Sequence, residues 1–207
     1  MAAKKRPLPV AVAPVVLTIG HSTHPFDEFV DWLRAHGVER VIDVRTVPKS
    51  RHNPQYNKDT MPASLEAFGL GYLHMPGLGG LRRVTAASVN SGWRNASFRG
   101  YADYMQTPEF AENIDRLIEY ARQERIALMC AEAVPWRCHR SLIGDALLVR
   151  GIAVEDIMGP TQRKAHGLTP FAKAHGTCLT YPGDDPQGTD DGSGSNASNP
   201  PAGKPTD

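Results

Sequence analysis

Cysteine is scarce, long apolar runs are missing, and neither sign of charge predominates. Each shortage narrows what the chain can be. Three cysteines in 207 residues, Cys130, Cys138 and Cys178, are too few, and odd in number, for a disulfide scaffold. A reducing, cytoplasmic setting is expected. No apolar run reaches the roughly 20 residues that span a bilayer, so no membrane association is expected. Lys4, Lys5 and Arg6 start like a secretory leader, but Pro7, Pro9 and Pro14 break the apolar stretch that follows. With 23 Lys and Arg against 22 Asp and Glu, the formal net charge is only +1.

The charge is nevertheless uneven. Between residues 40 and 100, Arg40, Arg45, Lys49, Arg51, Lys58, Arg82, Arg83, Arg94 and Arg99 face only Asp43, Asp59 and Glu66. Such a stretch suits a small anionic or nucleotide-like partner, with nucleic acid as an alternative. A solvated basic face without a ligand is the plainer account.

A hydrophobic fraction of 41% supports one ordinary core in a chain of this length. Residues 1–14 are expected to be a flexible arm, 15–178 a single domain, and 183–207 a disordered tail, because the tail has almost nothing apolar to bury. The continuous apolar runs Val15–Ile19 and Ile126–Ala131 predict buried strands, Val38–Val44 reads as a further strand, Val154–Ile157 as the last one, and a brief strand is expected near Tyr72–Met75. Helices are predicted from Phe26 to Gly37 and Met61 to Phe68. Another follows the Thr107-Pro108 cap with its stripe Phe110, Ile114, Leu117 and Ile118, and a last one surrounds Leu142–Leu147. Residues 76–99 are expected to be one long ordered loop.

Strands alternating with helices imply an α/β fold, a single Rossmann-like layered domain with a mainly parallel sheet flanked by helices. Ligands in such sheets bind beyond the carboxyl ends of the strands. Those ends carry His21-Ser22, Asp43-Val44-Arg45, His74 and Cys130-Ala131-Glu132, so one site should gather them.

The segments Thr18-Ile19-Gly20-His21-Ser22, Asp43-Val44-Arg45, Gly77-Leu78-Gly79-Gly80, Tyr101-Ala102-Asp103-Tyr104-Met105 and Met129-Cys130-Ala131-Glu132, followed by Cys138-His139-Arg140, occur in an order that resembles the DUF488 family over about residues 15–166. The resemblance implies a family and no activity, since the family was defined without one.

From Cys130 to Ser141 a strand ends, a loop turns and a helix begins. Arg137, His139 and Arg140 gather at the helix start, where free amides and the dipole favour an anion. Arg45, Arg140, Arg137, Ser22, His74, Trp93 and Arg94 are therefore the expected substrate-binding residues. An ion pair of Glu132 with Arg137 or Arg140 is the structural alternative. Glu132 and Asp43 are candidate general acids or bases. His21 and Cys138 are further catalytic candidates, the cysteine because cations and helix amides lower its pKa. Kinship with cysteine phosphatases or sulfur transferases is disfavoured: Pro135 and Trp136 stand where glycines would line a phosphate cradle. Cys130, Cys138, His139, His21 and His74 are zinc-compatible, but their spacing matches no closed structural zinc motif, so no metal is assigned and a metal-dependent enzyme stays an alternative. The residues specify neither a cofactor nor an oligomeric state. The reading they favour is an enzyme acting on a small phosphorylated or nucleotide-like substrate, against a non-catalytic nucleic-acid-binding module.

Overall fold

A computed structural model describes residues 13–183. The expected arm and tail fall outside the described residues, except for residues 13, 14 and 183. The chain runs β1 (Val15–Gly20), α1 (Phe26–Ala35), β2 (Arg40–Asp43), α2 (Met61–Glu66), β3 (Gly71–His74), α3 (Ala96–Tyr104), α4 (Pro108–Gln123), β4 (Ile126–Cys130), α5 (Arg140–Leu148), β5 (Ala153–Ile157), β6 (Arg163–Ala165), β7 (Lys173–His175) and β8 (Cys178–Thr180).

The main sheet has the order β3-β2-β4-β1-β5-β6. Its first five strands are parallel, and only β6 runs antiparallel, against β5. Alternate residues of the central strands point to opposite faces, and each face has its own core. Leu17, Ile19, Val41, Ala127 and Met129 pack with Phe29, Val30 and Leu33 of α1 and with Met61 and Leu65 of α2. Val16, Ile42, Ile126 and Leu128 pack with Ile114 and Leu117 of α4 and Leu142 and Ile143 of α5. The protein is thus a single α/β domain with a mostly parallel sheet between helices. Among the described residues no helix is long and apolar enough to cross a membrane.

Local chemistry explains the element ends. The Thr107 hydroxyl accepts a hydrogen bond from the Phe110 amide at 3.2 Å, capping α4 ahead of Pro108. Gly37, with φ of +68°, ends α1 in the left-handed conformation that glycine adopts without steric cost.

Three expectations need correcting. Residues 76–99 are not one loop, because α3 begins at Ala96, where the Asn95 side chain accepts from the Ser97 amide at 2.8 Å. β5 is not the last strand. Nor does packing stop at residue 178, because Leu179 and Tyr181 are buried and the Tyr181 hydroxyl donates to buried Asp145 at 2.9 Å.

Asp103 on α3 organises the loop before it. Its carboxylate accepts from the Thr85 amide and hydroxyl, from Ser88 and from Asn90. Burial pushes its pKa up, but these hydrogen bonds outweigh burial and the net shift is downward. A folded pKa below the unfolded one stabilises the fold fully above the unfolded value of about 4 and ceases to do so as pH falls through the folded value. Asp103→Asn should therefore lower the melting temperature at neutral pH by the equivalent of about 1–3 kcal/mol. The gap from the parent protein should narrow below about pH 4. A gap independent of pH would show that the carboxylate charge is not what holds the loop.

Candidate functional site

The carboxyl ends of β1, β2 and β4 lie side by side: Gly20 is in register with Cys130, and Asp43 with Met129 and His74. Above them opens a cleft of about 690 Å³. The chain after β1 contributes His21 and Ser22, the chain after β2 contributes Arg45, Lys49 and Asn53, and the chain after β4 contributes Glu132, Cys138 and His139. Its floor requires a glycine. A Cβ on Gly20 would lie 2.0 Å from the Glu132 carbonyl oxygen, so only at glycine can the chain leaving β4 cross over β1. Ser22 follows at a φ of +48°, a left-handed conformation uncommon away from glycine.

Beneath the cleft, polar groups are tied to one another. Arg45 donates from Nε to Oδ1 of Asp43 at 2.9 Å and from Nη2 to Oδ2 at 2.6 Å, and a further Nη2 hydrogen goes to the Tyr56 carbonyl at 2.7 Å. Asp43 also accepts from the Arg45 amide and, at 2.8 Å, from the Tyr72 hydroxyl. Burial, followed by the Asp43 charge, pushes the Tyr72 hydroxyl pKa up, which keeps that hydroxyl a donor. The expectation of Asp43 as a general base gives way, because its lone pairs are committed and it is fully buried.

His21 lies 2.8 Å from the Ser22 carbonyl through Nδ1 and 3.1 Å from Arg45 Nη1 through Nε2. A carbonyl only accepts and a guanidinium only donates, so the proton sits on Nδ1 and Nε2 accepts. The ring stacks on Tyr56 at 4.1 Å. Burial is the main reason its pKa falls to about 4, and the Arg45 and Arg140 charges add to it. His21 thus stays neutral and structurally engaged. His74 is a strut as well, donating from Nε2 to the Arg45 carbonyl at 2.8 Å.

Arg140, expected to hold an anion, is buried and lines neither of the clefts described. It donates to the Thr18 hydroxyl at 2.8 Å and to the Glu132 carbonyl at 2.6 Å, while Thr18 donates to Asp156 at 2.6 Å. Its bond to Glu132 is to the backbone, so the alternative of an ion pair between their side chains is not met among the described residues. Trp93 packs on Phe98, Phe171 and Tyr181 and lines a second cleft with Trp136 and Lys164. Arg94 is exposed and lines neither cleft.

The cysteines meet at the base of the first cleft. Cys138 Sγ lies 3.6 Å and Cys130 Sγ 4.0 Å from Nδ1 of His139. His139 Nε2 is 2.9 Å from the Val44 carbonyl, so Nε2 carries the proton and Nδ1 presents a lone pair to both sulfurs. The hydrogen bond with Cys130, followed by His139 and Arg140, holds the Cys138 thiol below its ordinary pKa against the opposing effect of burial. Cys130 moves the other way, through the same hydrogen bond and its own burial. Sequence reasoning ranked His139 below its neighbours, since nothing local shows that it reaches the end of β2. It also gave no role to Gly80 or Phe98, which line the cleft.

Residues 25–147 match the family described as "Domain of unknown function DUF488". Thr18–Ser22, which carries the first part of the resemblance, precedes the matched segment. No curated protein and no solved structure matches the chain.

Proposed function

This chain belongs to the DUF488 family, and we infer that it is an enzyme whose cleft binds a small anionic substrate, phosphorylated or nucleotide-like. The observation that carries the reading is the convergence of polar groups from three strand ends on one concavity. Its volume falls in the range typical of small-molecule sites, roughly 300–1,000 Å³.

Lys49 and Arg137 are the cations that meet the anion. Both are exposed along the cleft, and none of the ion pairs among the described residues involves them. They are uncommitted, unlike Arg45 and Arg140. Glu132 is the acid–base group: it lines the same cleft, and the only hydrogen bond its carboxylate makes among the described residues is a long one, 3.3 Å, from the Val134 amide. Strand binding is the less favoured reading because the aromatics it would need for base stacking are spent elsewhere. Tyr56 is buried under His21 and Trp93 lies in the other cleft.

The test is a thermal-shift screen against nucleotides and sugar phosphates. A ligand at about 100 times its Kd stabilises the folded state by about 2.7 kcal/mol. The double variant Lys49→Ala/Arg137→Ala should keep the unliganded melting temperature and lose most of that shift. Glu132→Gln should keep the shift and lose about 10²–10⁴ in turnover. Equal shifts in the parent and the double variant would sink the assignment of the anion site.

A further inference from the structure

We propose that Cys130, Cys138 and His139 form a zinc site with three protein ligands, its fourth position open to the cleft. This deepens the reading of the cleft as an active site.

The first argument is metric. The two sulfurs and Nδ1 of His139 all lie within 4.8 Å of one another. With Zn–S of about 2.3 Å and Zn–N of about 2.0–2.1 Å, tetrahedral angles place a sulfur roughly 3.6 Å from a nitrogen and two sulfurs roughly 3.8 Å apart. The observed sulfur-to-nitrogen distances are 3.6 Å and 4.0 Å. One already matches and the other needs a shift of a few tenths of an ångström.

The second argument is the orientation of the imidazole. Ligating histidines characteristically donate their other N–H to a carbonyl or carboxylate, which fixes tautomer and ring plane. His139 donates to the Val44 carbonyl just beyond β2, which leaves the lone pair on Nδ1 facing the two sulfurs. The third argument is the space left beside that lone pair. A Cβ on Gly80 would lie 2.6 Å from Nδ1 of His139, so any other residue would crowd the atom that must bind.

The donor set selects the ion. Two thiolates and an imidazole suit zinc, and the two sulfur charges balance its own. All three ligands line the cleft, and three protein ligands with an open fourth position are the arrangement of catalytic rather than structural zinc. The fourth ligand is water, or an oxygen of the anionic substrate. Spacing along the chain concealed the site: adjacent Cys138 and His139 lie outside the usual closed motifs, and they meet Cys130 only because the loop returns over Gly20.

The test uses the untagged full-length chain purified without chelator. Elemental analysis should find about one zinc per chain. After chelator treatment, cobalt(II) should give the intense visible bands of a tetrahedral site together with thiolate-to-metal absorption in the near ultraviolet. Cys130→Ser and Cys138→Ser should each abolish stoichiometric metal, whereas Cys178→Ser should retain it. Gly80→Ala keeps every ligand and should weaken binding by roughly 10–100-fold. Circular dichroism on each variant separates loss of metal from loss of fold. The proposal falls if the folded parent takes up no zinc after add-back, or if uptake survives both Cys130→Ser and Cys138→Ser. It also falls if a Cys130–Cys138 disulfide persists with zinc and a thiol reductant present. No substrate enters these measurements, and Lys49→Ala/Arg137→Ala should hold its zinc, so failure here is distinguishable from failure of the substrate reading.

Discussion

Arg45→Met is expected to cost about 3–5 kcal/mol of folding stability, the range for removing one member of a buried ion pair. The Asp43 and Arg45 side chains are 0% and 8% exposed. Methionine fills much of the space but returns no donors. Asp43 would keep the Arg45 amide and the Tyr72 hydroxyl and lose the charge that balances it. The loss extends further, because Nη1 of Arg45 also satisfies His21 and Nη2 holds the Tyr56 carbonyl. At about 2–4 °C per kcal/mol for a protein of this size, the melting temperature should fall by on the order of 10 °C. The double variant Asp43→Asn/Arg45→Met should recover part of that fall, because the penalty lies in the orphaned carboxylate rather than in the missing pair. A single variant within a degree or two of the parent would show that water reaches Asp43 and that the pair is not buried in solution.

Arg140→Ala should produce a loss of similar size, about 3–5 kcal/mol, and should do so without a ligand present. Arg140 ties three segments together: the helix it opens, β1 through Thr18, and the chain crossing over Gly20 through the Glu132 carbonyl. Its positive charge sits one hydroxyl away from Asp156, which is buried on β5 and hydrogen-bonded to that same Thr18. Alanine would leave a large void, an unpaired carbonyl and a carboxylate without nearby compensation. Lysine should recover only part of the loss, since one ammonium cannot reproduce the two-pronged reach of a guanidinium. The two assays carry the decision: the melting temperature should drop, while the folded fraction still binds anions through Lys49 and Arg137. A stable variant that binds no anion would restore Arg140 to the substrate.

The contrast between these arginines shows how much of the site was legible in the sequence. Continuous apolar runs located β1 and β4 and shorter strand-like segments the other three parallel strands, and the strand-end rule placed His21, Arg45 and Glu132 around one opening. Both follow from local periodicity and sheet topology. Whether an arginine faces a ligand or props the fold depends on which carbonyls and carboxylates the tertiary structure brings to it. Arg140 meets Thr18, 122 positions away, and no local pattern announces that. Helix α3 escaped for a related reason. Its stretch holds Ser97 and Gly100 and is only weakly amphipathic, and it is fixed by Asp103 gathering the loop before it. The antiparallel strand β6 is short and wholly exposed, so it has no apolar alternation to detect.

The position of β4 between β1 and β2 has a consequence for how the chain is made. β1 and β2 do not touch as strands, because each pairs with β4. A nascent chain that has emerged only as far as residue 125 therefore holds both strands without the one that joins them. Parallel pairing across such long loops is slow, because closure entropy is spent before contacts compensate for it. The edges awaiting β4 are open and apolar, the condition under which growing chains aggregate. His21 and Arg45 come together, and the cleft acquires its floor, only after the strand ending in Cys130 has inserted between them. Synthesis halted before that point yields a chain with no partial version of the site.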